Sequence, residues 1–315
     1  MHNFSIAIHG GAGTLVKGMM TPELEANYKS VLKEALEAGY AILENEGTSI
    51  DAVAKAVTIL EDSHLFNAGK GAVFTADETH EMDASIMDGK TLNAGAVSLI
   101  TGIKNPVSLA KEVMMKSEHV FLAGEGAMQF AKANDYKIED KTYFYDELRH
   151  QQWLEIKDTD SFQLDHATST SLSRKKDSKF GTVGAVACDK SGNIAAATST
   201  GGMTNKKFGR VGDSPMIGAG NYANNKTCAI SCTGSGEFFI RGVVAYDVAC
   251  LMEHKGMSLK KASEEVIHKR ILELGGDGGL IAIDSKGNIA MPFNTEGMYR
   301  ASKSSNGNEE ISIYK

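Results

Sequence analysis

Residues 157–188 read KDTDSFQLDHATSTSLSRKKDSKFGTVGAVAC, and the texture changes at one bond within them. Up to Gly181 the stretch is polar, rich in Ser, Thr, Lys and Arg. From Thr182 it is an apolar strand, TVGAVAC. The pattern predicts a flexible linker over 157–181 that meets buried chain at Gly181–Thr182. Cutting that bond would give Thr182 a free α-amino group. A threonine hydroxyl is a weak nucleophile until a base takes its proton, and an N-terminal amine can be that base. Such an amine titrates near ~7.7–8.0, so part of it is neutral at neutral pH, as general-base work requires. Read alone, Thr182 is more simply a threonine that opens a β-strand.

Upstream, Phe4–His9 alternates like a strand and runs into a Gly-rich turn. A helix is predicted from Pro22, capped by Thr21, with Leu24, Tyr28, Val31, Leu32, Ala35, Ile42 and Leu43 at helical spacing. A second follows Ser49 and runs to about Asp62. GAVFTADE, EMDASIMDG and NAGAVSLI read as strands, the last two joined at Asp88–Gly89. Helices near 106–117 and 124–134 flank the strand HVFLA, and 139–181 looks mobile. Downstream, GAVACDKSGNIAAATST echoes GLIAIDSKGNIAMPFNT, and each reads as a hairpin around an Asp-x-x-Gly-Asn turn. Between them lie strand pieces MIGAGNYA and TCAISCTG and helices near 237–254 and 258–273. Strands apolar on both faces predict sheets covered on both sides. The fold class expected is α+β, a four-layer αββα sandwich with two mainly antiparallel sheets, in one domain spanning 1–315.

The composition is that of a globular protein: 315 residues, 42% hydrophobic and 23% charged. A net charge of −7 argues against nucleic acid or an anionic membrane as partner. No secretory signal and no membrane-length apolar run are legible, and Cys188, Cys228, Cys232 and Cys250 read as reduced core thiols. The location expected is therefore cytoplasmic.

Several motifs are decoys. HGGAG at 9–13 has the look of a lipase oxyanion loop, but no G-x-S-x-G elbow accompanies it. GAGNYA at 218–223 fits a dinucleotide pattern but lacks a following helix. Cys228 and Cys232 have no histidines beside them, and His64 and His80 lack a zinc-binding context. Four features remain. TSTGG, 198–202, places hydroxyls at the end of a buried strand. GRVGDSP holds Arg210, suited to a carboxylate, near Asp213, suited to an ammonium; a surface ion pair is the other reading. CTGSGEF puts Thr233, Gly234, Ser235 and Gly236 where a strand gives way to a helix, a place for an oxyanion or for an ordinary cap. FNAGKG holds Asn67 in a Gly-bounded turn, as a donor or a turn former.

In this order, these features and the Gly181–Thr182 junction resemble the isoaspartyl peptidase/L-asparaginase family, the plant-type asparaginases among the N-terminal nucleophile hydrolases. The resemblance runs from HGGAG to the closing FNTEGMYR and is most specific over 181–215. It implies a precursor that cleaves itself into an α piece, 1–181, and a β piece, 182–315, paired as a dimer of αβ heterodimers. It implies Thr182 as nucleophile and Thr200 as its activator, with Asn67 assisting. Arg210 would hold the substrate α-carboxylate and Asp213 its α-amino group. Thr233 and the Gly234 amide would form the oxyanion hole, with the Gly236 carbonyl near the substrate amine. The substrates implied are L-asparagine and β-aspartyl dipeptides. No cofactor is implied for catalysis. The loop 60–70 resembles one that wraps a sodium ion, with backbone ligands at Leu60, Glu61, Ser63, Phe66, Ala68 and Lys70. The charge of Lys70 in that loop is a departure that puts the ion in doubt. A glycosylasparaginase-like amidase, an uncleaved silent relative and a phosphate-binding protein are the rival readings.

Overall fold

The two Asp-x-x-Gly-Asn turns mark the two sheets of the molecule. Asp189 Oδ1 accepts from the backbone N–H of Ser191 and Asn193 at 2.9 and 3.0 Å, and Asp284 Oδ1 does the same for Lys286 and Asn288. Each carboxylate thus closes its own hairpin. A computed structural model describes residues 3–159 and 181–315. The first hairpin, β5 (Val183–Cys188) and β6 (Ile194–Thr200), lies in the middle of an eight-stranded sheet. Around it run β1 (Ser5–Gly13), β2 (Met82–Asp88), β3 (Ala94–Ile100), β4 (Phe121–Ala123), β11 (Gly297–Ser304) and β12 (Glu309–Tyr314). Their order is β12-β11-β1-β5-β6-β2-β3-β4. The second hairpin, β9 (Gly278–Ile283) and β10 (Ile289–Ala290), joins β8 (Ala229–Gly234) and β7 (Asn221–Ala223) in the order β10-β9-β8-β7. Among these strands every pairing is antiparallel except β3 with β4.

Strand alternation distributes the core. Ile6, Ile8, Val183, Ala185, Ala187, Ala195 and Ala197 pack with Leu32, Leu36, Val53, Val57 and Leu60 of helices α1 (Pro22–Glu44) and α2 (Ser49–Asp62). Their strand neighbours Ala7, Val186, Cys188, Ile194 and Ala196 pack instead with Ala229, Ile281 and Ile283 of the second sheet. The opposite face of that sheet, Ile230, Cys232, Leu280 and Ala282, buries Phe239, Val248, Ala262 and Ile267. Those residues belong to the run of helices α6 (Gly236–Gly242), α7 (Val244–Lys255) and α8 (Leu259–Glu265), the π-helical turn Val266–Arg270 and α9 (Ile271–Glu273). Gly184 decides how closely β5 approaches β8: a Cβ there would sit 1.9 Å from Ser231 Oγ.

The structure corrects the sequence reading in several places. GAVFTADE is not a strand, because its backbone is spent elsewhere. Val73 N–H donates to Asn67 Oδ1, the Ala72 and Val73 carbonyls lie against His80 Nδ1, and the Phe74 carbonyl accepts from Asn205. Only the last three residues of MIGAGNYA form a strand. The helix expected over 237–254 breaks at Val243, which adopts φ +47. Within 139–159, α5 (Glu147–Ile156) packs inward with Trp153 and Arg149 buried; α3 (Pro106–Lys116) and α4 (Gly124–Ala133) form as the periodicity predicts. The linker residues 160–180 lie outside the described residues.

Candidate active site

Strand pairing sets the geometry around the junction. Thr182 directly precedes β5, which lies between β1 and β6 with His9 opposite Gly184 and Ser199 opposite Val183. Thr200 ends β6, one residue beyond Ser199. The Gly181 carbonyl oxygen therefore lies among side chains distant in sequence. It accepts from Thr182 Oγ1 at 2.8 Å, Thr200 Oγ1 at 2.9 Å and Asn67 Nδ2 at 3.1 Å. Thr182 Oγ1 is also 3.2 Å from Thr200 Oγ1.

The donors are themselves held. Asn67 is fully buried, its Oδ1 accepts from Val73 N and its Nδ2 also donates to the Gly202 carbonyl at 2.7 Å. That fixes which end of the amide points at Gly181. Thr200 Oγ1 accepts from Gly202 N at 3.0 Å, which turns its hydroxyl proton toward Gly181. Donors fixed on one carbonyl oxygen are what an oxygen gaining negative charge requires.

His9 lies beneath the junction. Its Nε2 is 2.9 Å from Ser231 Oγ, which is 2.7 Å from Thr198 Oγ1. Burial drives the His9 imidazole down to about 3, with the Thr182 backbone pulling the other way, so the ring is neutral. Thr233 and Gly234 end β8. Thr233 Oγ1 accepts from Ala12 N at 3.3 Å, a contact to β1 and not to the Gly181 carbonyl.

Arg210 and Asp213 come together with Gly236 between them. A Cβ on Gly236 would lie 2.9 Å from both Arg210 Nη2 and Asp213 Oδ1. Asp213 is buried, its Oδ2 has no hydrogen-bond partner among the described residues, and burial raises its carboxyl to about 7 against the pull of Arg210. The surface-pair reading of Arg210 also has a counterpart here, with Glu237 and not Asp213 as the partner. Arg210 Nε and Nη2 donate to the two carboxylate oxygens of Glu237 at 2.9 and 3.0 Å. Glu237 is half-exposed in the first turn of α6. Burial pushes its carboxyl up, but the Arg210 hydrogen bonds and charge pull further, leaving it below its ordinary value. The only hint in the sequence is an acid following the Gly-rich turn.

Comparison with known proteins places the chain in a family. Residues 2–313 match the asparaginase family model. The chain belongs to the asparaginase family. It is 53% identical over 296 residues to the isoaspartyl peptidase of Escherichia coli (strain K12), covering 94% of this chain and 91% of that one. It is 40% identical to the probable isoaspartyl peptidase/L-asparaginase 2 of Arabidopsis thaliana over the whole of both chains. Against the plant-type L-asparaginase of Pyrococcus furiosus the figure is 42%, over 93% of this chain and 94% of that one. Within this asparaginase-family chain, no group of three or more His, Cys, Asp or Glu among the described residues is arranged to hold a metal ion. None of its described helices is long and apolar enough to cross a membrane.

Proposed function

We propose that this chain cleaves its own Gly181–Thr182 bond and then hydrolyses β-aspartyl dipeptides and L-asparagine with Thr182 as nucleophile. The observation that carries the reading is the Gly181 carbonyl, held by Asn67 and Thr200 beside the Thr182 hydroxyl. The names of the relatives supply the substrate class.

In the first stage Thr182 Oγ1 attacks the Gly181 carbonyl carbon. Its proton passes to Thr200 Oγ1, 3.2 Å away, and Asn67 Nδ2 and the Thr200 hydroxyl stabilise the oxyanion. The C–N bond breaks, the Thr182 nitrogen takes up the proton, and an ester joins Gly181 to Thr182 Oγ1. Water cleaves the ester, leaving a Gly181 carboxylate and a Thr182 with a free amine and hydroxyl. In the second stage that amine takes the hydroxyl proton. Thr182 attacks the side-chain carbonyl carbon of the substrate, the tetrahedral oxyanion lies against Thr233 and the Gly234 amide, and the protonated leaving amine departs. Water then releases L-aspartate. Arg210 and Asp213 hold the α-carboxylate and α-amino group, and the Gly236 carbonyl meets the amine.

Strand order explains how the pieces would stay together. The α piece supplies β1 to β4 and the β piece supplies β5, β6, β11 and β12, and β1 lies between β11 and β5. The three apolar clusters support the four-layer αββα arrangement of an N-terminal nucleophile hydrolase. Two such αβ units pair, in this reading, in the cytoplasm, where the free thiols stay reduced.

The same reading has the loop 60–70 hold a sodium ion through backbone carbonyls, two of which face its interior. The Glu61, His64 and Phe66 carbonyls turn inward against Gly69 and Gly71. Lys70 does not oppose an ion, because its ammonium lies 5.6 Å over the Tyr143 ring. The carbonyls of Leu60, Glu61, Ser63, Phe66, Ala68 and Lys70 would hold the ion, which would brace the loop that carries Asn67.

The test is a denaturing gel with N-terminal sequencing of aged protein. Two fragments are expected, the smaller beginning TVGAVA, together with release of aspartate from β-aspartyl dipeptides and asparagine. A single intact chain, or cleavage at another bond, would refute the reading.

A further inference from the structure

Lys206 is a buried cation with no place in the chemistry above. Its side chain is 1% exposed. It folds back over Gly202, so that a Cβ on Gly202 would lie 3.1 Å from its Cδ and 3.2 Å from its Nζ. Only glycine leaves that room and also accepts the local φ of +81°. The ammonium is anchored beyond the turn, donating to the Glu81 carbonyl at 2.9 Å with the Glu81 carboxylate 3.8 Å away.

The turn under this strap serves both donors of the junction. Gly202 N–H fixes Thr200 Oγ1, the Gly202 carbonyl fixes Asn67 Nδ2, and Gly201 N–H donates to the Asn67 carbonyl. Asp83 lies opposite Thr200 on the neighbouring strand. It is buried, its Oδ1 accepts from Leu99 N, and its Oδ2 has no hydrogen-bond partner among the described residues. Burial raises the Asp83 carboxyl and lowers the Lys206 ammonium, while each charge favours the other. Keeping two charges at this depth is expensive unless they support something specific.

We propose that Lys206 is a positioning residue for chain cleavage, strapping the Gly201–Gly202 turn so that Asn67 and Thr200 both aim at the Gly181 carbonyl. The proposal rests on the self-cleavage reading. It makes the anchored ammonium, and not the aliphatic stem alone, the working part, because only the anchor on Glu81 holds the side chain across Gly202. Misplacing a donor by a fraction of an ångström is costly in rate.

The experiment follows cleavage of freshly purified full-length chain by mass spectrometry, alongside melting temperature. Lys206→Met keeps the stem and loses the anchor; its cleavage should slow about tenfold or more. Lys206→Met with Asp83→Asn removes both buried charges, keeps the melting temperature near the native value and stays equally slow. Asp83→Asn alone keeps the anchor and cleaves within about threefold of the native rate, and Lys206→Arg restores part of the rate. In cleaved enzyme, Lys206→Met lowers kcat for asparagine and leaves KM within about twofold, since Arg210 and Asp213 are untouched. A folded Lys206→Met or double variant that cleaves at the native rate overturns the proposal, as does Lys206→Arg as slow as Lys206→Met at an unchanged melting temperature. A native chain that never cleaves sinks the self-cleavage reading instead.

Discussion

The Gly181–Thr182 junction and the proposed head-group site at Arg210 and Asp213 differ in how their polar groups are satisfied. At the junction the Gly181 oxygen has hydroxyl and amide donors in place, and the donors have fixed partners of their own. At the head-group site Arg210 is engaged by Glu237, and the buried Asp213 Oδ2 has no hydrogen-bond partner among the described residues. A buried acceptor left without a partner costs about 1–3 kcal/mol, so such a group is kept for something that arrives later. In the proposed function the uncut chain is assembled for reaction on itself, and its Arg210–Asp213 end for a ligand.

The largest effect expected is at the nucleophile. Thr182→Ala removes the attacking oxygen from both stages, so the chain should stay whole on a denaturing gel and release no aspartate. Cleavage by this variant would mean that another group cuts the chain. The next effect separates the two regions. Asn67→Ala removes one oxyanion donor from Gly181, and cleavage should slow by about 10²–10³-fold. Arg210→Ala leaves every Gly181 contact in place. It should cleave at the native rate and then lose about 10²-fold or more in kcat/KM for asparagine, because a charge-assisted pair to the substrate carboxylate is gone. Equal damage to cleavage and turnover by either variant would erase the distinction between the regions.

Asp213 gives that distinction a pH signature. Burial puts its carboxyl at about 7. Below that pH it is protonated and cannot pair with the substrate ammonium, so KM for asparagine should fall as pH rises toward 7 and level off above it. Stability runs the other way. A carboxyl raised in the folded chain favours the fold at low pH, and that contribution disappears as pH rises from about 4, its unfolded value, through 7. Asp213→Asn should abolish the KM step and raise the melting temperature relative to the native chain at pH 8 more than at pH 5. Kinetics and thermal melts across pH 5–8 would measure both, and a KM step that survives in Asp213→Asn would assign it to another group.

How much of this was legible depended on whether the sequence signal was local. The hairpins at Asp189 and Asp284 were readable because each carboxylate closes a turn within four residues. Thr182 is readable because the sequence turns from polar to apolar there within one residue. GAVFTADE misled because its apolar pattern is real but its backbone partners, Asn67, His80 and Asn205, come from outside the segment. The helix over 147–156 was missed because its inward side carries Arg149 and Gln152 beside Trp153, which blurs the apolar period. Asn67 was a candidate without a stated target, since its contact to Gly181 spans 114 residues. Lys206 and Glu237 were passed over because a charged side chain in a polar loop ordinarily faces water.

Glu237 carries the smallest of the expected effects and the finest test of the comparison. It holds Arg210 through Nε and Nη2, one edge of the guanidinium. In the proposed function the Nη1–Nη2 edge takes the substrate carboxylate, with Nη1 beside Gly212 and Nη2 beside Gly236 and Asp213. Under this geometry Glu237 orients Arg210 and does not compete for it. Glu237→Gln keeps one acceptor and loses the charge, so KM for asparagine should rise about threefold, in keeping with a half-exposed ion pair, while kcat and the rate of chain cleavage stay unchanged. A fall in KM would reverse the assignment, making Glu237 an internal stand-in for the substrate carboxylate that the ligand must displace. The head-group site would then be closed by an internal partner in the uncut chain, as the Gly181 junction is, and the contrast between the two regions would narrow.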